Sequence, residues 1–139
     1  MNQKSKNRFS PNLLLMSKHE TWRTRKFWEK VGGLLIEEFE VVKADKNQAR
    51  RLIDGIIVQN ESARIHNGGD YDIKGKDIII IQTKANRLGM YLLGQALFSS
   101  KLIQIFEPKS IRTVAICAKN DKVMEILAKD FGIEVVIIQ

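Results

Sequence analysis

Cysteine is almost absent from this chain. Cys117 is the single one, which excludes an intrachain disulfide and a cysteine-built zinc site. It stands in the apolar run Val114–Ala118, where a buried structural thiol is expected rather than a nucleophile. Long apolar runs are missing as well. No stretch approaches the ~18–20 residues of a membrane span. Leu13-Leu14-Leu15-Met16 is too short for the apolar core of a signal peptide, so no secretion and no membrane partner are expected, and the expected location is cytoplasmic. His19 and His66 lack metal-ligand spacing. There is no Gly-x-x-x-x-Gly-Lys run to cradle phosphates and no Gly-x-Ser-x-Gly elbow. Internal repeats and low-complexity segments are lacking too.

What is present is a small basic chain. Its 139 residues suit one domain. Hydrophobic residues at 44% and charged residues at 28% are ordinary for a folded protein and exclude wholesale disorder. A formal charge of +7 favours a polyanionic partner, nucleic acid ahead of an anionic membrane. Residues 1–17 carry Lys4, Lys6 and Arg8 and no acidic residue, which reads as a basic, flexible arm ahead of a single domain over 18–139.

The periodicities predict a mixed α/β sheet flanked by helices. Lys18 to Val31 has helical spacing, with Ser17 as N-cap, Glu20 completing a capping box and Gly32-Gly33 ending the helix. Strands are predicted over Leu34–Val42, Leu52–Val58 and Asp77–Ala85, with 59–76 an elaborated loop. The Ile78–Ile81 run implies burial on both faces. A helix follows from Leu88 to Phe106, its inward stripe holding Leu92, Gln95 and Ser99. Then come a strand over Ile111–Ala118, a helix capped by Asn120 with Val123, Ile126, Leu127 and Phe131 as its core face, and a strand over Ile133–Ile138. The first three strands read as a meander, and the later units as right-handed parallel crossovers.

Polar residues where apolar ones are expected are the informative ones. Asp54 is a lone carboxylate in a hydrophobic strand, and strict alternation places it with Leu52 and Ile56. An unpaired buried carboxylate costs several kcal/mol, so it needs a cation, a metal or several donors. Gln82 and Lys84, two apart, leave one face of the next strand. A hairpin pairing brings Asp54, Gln82 and Lys84 together, either as a reactive centre or as a structural Asp54–Lys84 ion pair.

Glu20 on the first helix, Ile53-Asp54-Gly55 on one strand and Ile81-Gln82-Thr83-Lys84 on the next resemble the motifs of the PD-(D/E)XK nuclease superfamily. The likeness spans about residues 18–138, and the element order αβββαβαβ is similar too. It implies a restriction-endonuclease-like, five-stranded mixed sheet flanked by helices. It implies hydrolysis of DNA phosphodiester bonds with Mg²⁺, or Mn²⁺ in its place, with catalytic residues Glu20, Asp54, Gln82 and Lys84, and metal ligands Glu20, Asp54 and Gln82. Gln82 departs from the acidic residue of the pattern, which implies one negative charge fewer and weaker metal binding. Lys84 would hold the attacking water or stabilise the transition state. Gln95 is a supporting polar residue, and Arg23, Lys26, Arg50, Arg51 and Arg87 are candidate phosphate contacts. DNA is the expected partner, and cutting both strands would call for a homodimer. The other reading is a non-catalytic nucleic-acid-binding module of the same fold with a decayed site.

Overall fold

The structure is a computed structural model that describes residues 11–66 and 70–139, without the side chains of residues 11–20. The elements are α1 Pro11–Val31, β1 Leu34–Val42, β2 Arg51–Val58, β3 Arg64–His66, β4 Asp77–Thr83, α2 Met90–Leu102, β5 Ser110–Cys117, α3 Lys122–Asp130 and β6 Ile133–Ile137. A tighter 3₁₀ turn over Ile103–Phe106 extends α2. Six strands form one sheet in the order β3-β1-β2-β4-β5-β6. β1, β2 and β4 make an antiparallel meander, and β4, β5 and β6 run parallel.

The meander and the parallel crossovers are as the sequence predicts; the strand count and order are not. β3 lies inside the expected 59–76 loop and adds a sixth strand at the outer edge, parallel to β1. Three residues are too few to show an alternation, and their only ladder is Leu34–Ile36 against Arg64–His66. The turn sequence that follows, residues 67–69, lies outside the described residues, as do residues 1–10 of the expected arm.

α1 is described from Pro11, ahead of the expected Lys18. Ser17 therefore sits inside the helix and not at its start, where a capping box belongs. At the other end the chain turns through Gly32 and Gly33, at φ 77° and 86°. Trp28 Nε1 donates to the Gly33 carbonyl at 2.7 Å and pins this turn. A Cβ at Gly33 would stand 2.7 Å from the Val58 carbonyl oxygen, so only glycine fits between α1 and β2.

The sheet is buried on both faces. Phe27 of α1 packs with Leu35, Ile57, Ile79, Ile81, Val114 and Ile116. Ile78 and Ile80 point the other way, into a cluster with Phe39, Ile53, Ile56 and Ile103. That two-sided burial is what the unbroken Ile78–Ile81 run predicts. α2 and α3 cover the second face over β5 and β6 through Leu88, Leu92, Ala96, Ala115, Cys117 and Ala128. No helix among the described residues is long and apolar enough to cross a membrane.

α3 departs from expectation in two ways. Its N-cap is Asp121, whose Oδ1 accepts from the Met124 N–H at 3.0 Å, and not Asn120. Its large apolar residues do not face the core: Val123, Ile126, Leu127 and Phe131 are exposed. The helix meets the sheet through Ala128 and Met124, which pack with Ile133 and Val135 of β6 in one cluster. The bulkier side chains are thereby turned outward. Leu127 and Phe131 border a shallow apolar groove of about 160 Å³ against Leu93, Gly94 and Leu97 of α2.

Candidate active site

The site starts from a fault in strand alternation. Ile36 and Phe39 of β1 share one core cluster although they are three apart, and so do Ile53 and Ile56 of β2. Strict alternation would send members of each pair to opposite faces. The fault lies between the pairs Phe39↔Ile53 and Glu37↔Gly55, at Glu38 and Asp54. Glu38 supplies the cause with φ 56°, a left-handed conformation that costs a residue with a side chain about 1–2 kcal/mol. Asp54 is therefore half-buried at a kink and does not share a core face with Leu52 and Ile56 as expected.

At the same place β2 and β4 part. Their ladder ends at Gly55↔Ile81, and the next step sets Asp54 opposite Gln82. Side chains take over the bonding there. The Asp54 N–H donates to Gln82 Oε1 at 3.4 Å, and the Thr83 N–H donates to Asp54 Oδ2 at 2.9 Å. Gln82, only 3% exposed, donates through Nε2 to Ser99 Oγ of α2 at 2.8 Å. Its amide can point only one way, because the Asp54 N–H needs an acceptor. Beside it Thr83 Oγ1 is buried and has no hydrogen-bond partner among the described residues.

Lys84 follows directly. Its N–H donates to the Ile116 carbonyl at 3.0 Å, which keeps the chain beside β5 as β4 ends. Its Nζ stands 4.7 Å from the centroid of the Tyr91 ring in the first turn of α2. Asp54 and Gln82 thus meet at the carboxyl end of β4, and Lys84, two residues beyond Gln82, sends its Nζ to the Tyr91 ring. The Glu20 side chain lies outside the described residues; its backbone belongs to α1.

The basic candidates separate by position. Arg50 and Arg51 line a cleft of about 960 Å³ between α2 and the β1–β2 end of the sheet, with Gln82, Gln95, Tyr91 and Phe98 also on its walls. Arg50 is also paired to Glu40 at 2.6 Å. Lys26 is exposed on α1. Arg87 is exposed and donates to the Asn120 carbonyl at 2.9 Å. Arg23 is buried and stands apart from the surface cations; its Nε donates to the Ile138 carbonyl at 2.9 Å, bracing α1 against the chain after β6. Cys117 is buried beneath α2, and burial pushes its thiol pKa up, so it stays protonated as a packing group.

Sequence reasoning placed Ser99 and Gln95 on one inward stripe but gave Ser99 no role, and it passed over Tyr91. A signal for Ser99 was available, since a buried amide such as Gln82 must find polar partners on the helix that covers it. Tyr91 carried none, because the approach of Lys84 depends on how the turn 84–89 folds.

Among the described residues no three His, Cys, Asp or Glu side chains converge into a metal cage. The oxygen donors at this strand end are the Asp54 carboxylate, which accepts from the Thr83 N–H, and the Gln82 amide oxygen, which accepts from the Asp54 N–H. Mg²⁺ keeps several waters and is commonly bound by one or two carboxylates plus substrate phosphates, so this sparse donor set suits such an ion.

No family model and no curated protein matches the chain. Among solved structures, EndoMS in its apo form matches over 86% of this chain, at 14% identity and a TM-score of 0.51. The chain spans 46% of that structure's length, about half. This likeness is one of fold alone.

Proposed function

We propose that the chain is a metal-dependent nuclease that hydrolyses DNA phosphodiester bonds, an endonuclease using Mg²⁺ or Mn²⁺. One observation carries this reading: a half-buried carboxylate, Asp54, is fixed by the Thr83 N–H where two core strands part, with Lys84 next in the chain and a cleft with arginines on its wall alongside. The nuclease-like fold shared with EndoMS supports it.

In this reading Asp54 holds the metal, with Glu20 and the Gln82 amide oxygen as further ligands. A bound Mg²⁺ would lower the pKa of its water and screen the phosphate. The chain's own residues do the rest. The Thr83 N–H fixes one oxygen of Asp54, so the carboxylate is oriented before substrate arrives. Lys84, over the Tyr91 ring, is a positioned cation for the negative charge that grows at phosphorus. Arg50, Arg51, Lys26 and Arg87 supply phosphate contacts that set register without reading bases.

The test is a plasmid-nicking assay with Mg²⁺ or Mn²⁺. Wild type nicks, while Asp54→Asn and Lys84→Ala lose activity and keep their fold by circular dichroism. Nicking by either variant at the wild-type rate refutes the assignment.

A second reading follows from Gln82, which stands where the resemblance places an acidic residue and whose amide is occupied on both ends. Here the chain binds nucleic acid without cutting it. An inert wild type whose Gln82→Glu variant nicks DNA establishes this second reading.

A further inference from the structure

The 960 Å³ cleft has walls that a surface for phosphates alone does not need. Tyr91 and Phe98 both line it, and each is 69% exposed. Seven residues apart, they are two turns apart on one face of α2, about 10.5 Å along its axis. Lys84 Nζ stands 4.7 Å from the Tyr91 centroid, which ties that ring to the proposed centre while most of it stays open.

Gly94 lies between the two rings on the same helix. A glycine inside a helix is less favourable than alanine and calls for a reason. The fold supplies none. A Cβ built at Gly94 meets nothing within 4 Å, and its φ is not in the left-handed region. The bare backbone leaves a gap between the rings that no described part of the chain fills. Arg50 and Arg51 stand across the cleft at the start of β2.

We propose that this cleft binds an unpaired stretch of nucleic acid. Bases stack on Tyr91 and Phe98, the strand passes over Gly94, and phosphates meet Arg50 and Arg51. The chemistry selects this form of the polymer. Bases in an intact duplex already stack on each other and offer only their edges, so open ring faces gain nothing from them. An unpaired strand offers every base as a stacking partner, and an aromatic platform in a basic groove is the arrangement that holds it. This inference rests on the nucleic-acid reading above and names the form of the substrate.

The experiment measures binding by the full chain in the absence of divalent metal, so that activity plays no part. Fluorescence anisotropy compares a short labelled oligothymidylate with a hairpin duplex of the same length. A single-stranded probe carrying 2-aminopurine reports stacking by quenching. Wild type binds the single strand more tightly than the duplex and quenches the probe. Tyr91→Ala and Phe98→Ala each weaken single-strand binding about tenfold and lose quenching, and Phe98→Ala leaves the duplex affinity unchanged. Both positions are exposed, so neither truncation threatens the fold. Gly94→Leu closes the gap and lowers single-strand affinity while melting no earlier than wild type, a combination that a merely structural glycine would not produce. Equal affinity for both probes, or Tyr91→Ala and Phe98→Ala binding the single strand like wild type, overturns the inference. If the duplex binds and is cut while the single strand is ignored, this inference fails and the nuclease reading stands. If neither probe binds, both fail.

Discussion

Gly55→Ala tests how the helix that carries Glu20 is seated against the strand that carries Asp54. A Cβ at Gly55 would stand 2.8 Å from Thr24 Cγ2 of α1, with the Leu35 and Ile81 methyls at 3.5 and 3.7 Å. Carbon atoms pack best at about 3.5–4.0 Å, so the added methyl clashes with Thr24 and fits everything else. Thr24 is 2% exposed and β-branched, which leaves it few rotamers to escape into. Overpacking of this kind costs about 1–3 kcal/mol, and each kcal/mol lowers Tm by roughly 3–5 °C in a domain of this size. Thr24→Ser removes only Cγ2 and costs about 1 kcal/mol for the buried methyl. If the clash is the cause, the double variant is as stable as Thr24→Ser alone, a coupling equal to the Gly55→Ala loss of about 1–3 kcal/mol. Urea unfolding followed through Trp22 and Trp28 measures all four corners of the cycle. A double variant that loses the sum of the single losses refutes the proposed seating. Cleavage, if the chain is a nuclease, falls in Gly55→Ala and returns in the double variant.

Ser99→Ala leaves the Gln82 amide N–H, which now donates to Ser99 at 2.8 Å, without its partner; urea denaturation should show a loss of about 1–3 kcal/mol, and no loss would mean that Gln82 finds another acceptor. Thr83→Val removes a buried hydroxyl that has no partner among the described residues; Tm is unchanged or higher, and a fall in cleavage without a fall in Tm assigns the hydroxyl to the substrate. Arg112 holds Glu134 below the usual glutamate range, chiefly through hydrogen bonds at 2.8 and 2.9 Å, with burial opposing. A carboxylate with a lowered folded pKa stabilises above its unfolded value near 4.3 and loses that contribution as pH falls through the folded one. With both side chains near half exposed, the pair contributes about 0.2–1 kcal/mol, so Glu134→Gln costs that much at neutral pH and nothing near pH 2; equal losses at both pH values refute the sign.

Most of the architecture was legible because its signals are local and repeated. The Ile78–Ile81 run required a strand buried on both faces, and β4 lies between α1 on one side and α2 on the other. Gly32-Gly33 required a turn, and both residues adopt positive φ there. β3 was not legible, since its three residues are held by a partner strand that no local pattern reveals. The outward face of α3 was hidden for a related reason. Hydrophobicity identifies an apolar face but not which face turns to the sheet, and α3 meets the core through Ala128 and Met124.

The site residues were legible as anomalies, and their geometry was not. Asp54 in an apolar strand and Gln82 with Lys84 at the end of the next were the polar exceptions, and the structure brings Asp54 to Gln82 and to the Thr83 N–H at that strand end. Alternation assigned Asp54 to a core face, where an ionised carboxylate would be costly. The conflict is resolved by Glu38, a residue without a turn signature that nonetheless adopts φ 56°. Its kink returns Phe39 and Ile53 to the same cluster as Ile36 and Ile56, so the core keeps its apolar lining on both sides of the break. Asp54 falls at the break and meets the Thr83 N–H instead of hydrocarbon. A strained glutamate on one strand is therefore what allows a carboxylate on the next to sit in the middle of a hydrophobic sheet. The strain at Glu38 and the placement of Asp54 are two parts of one arrangement.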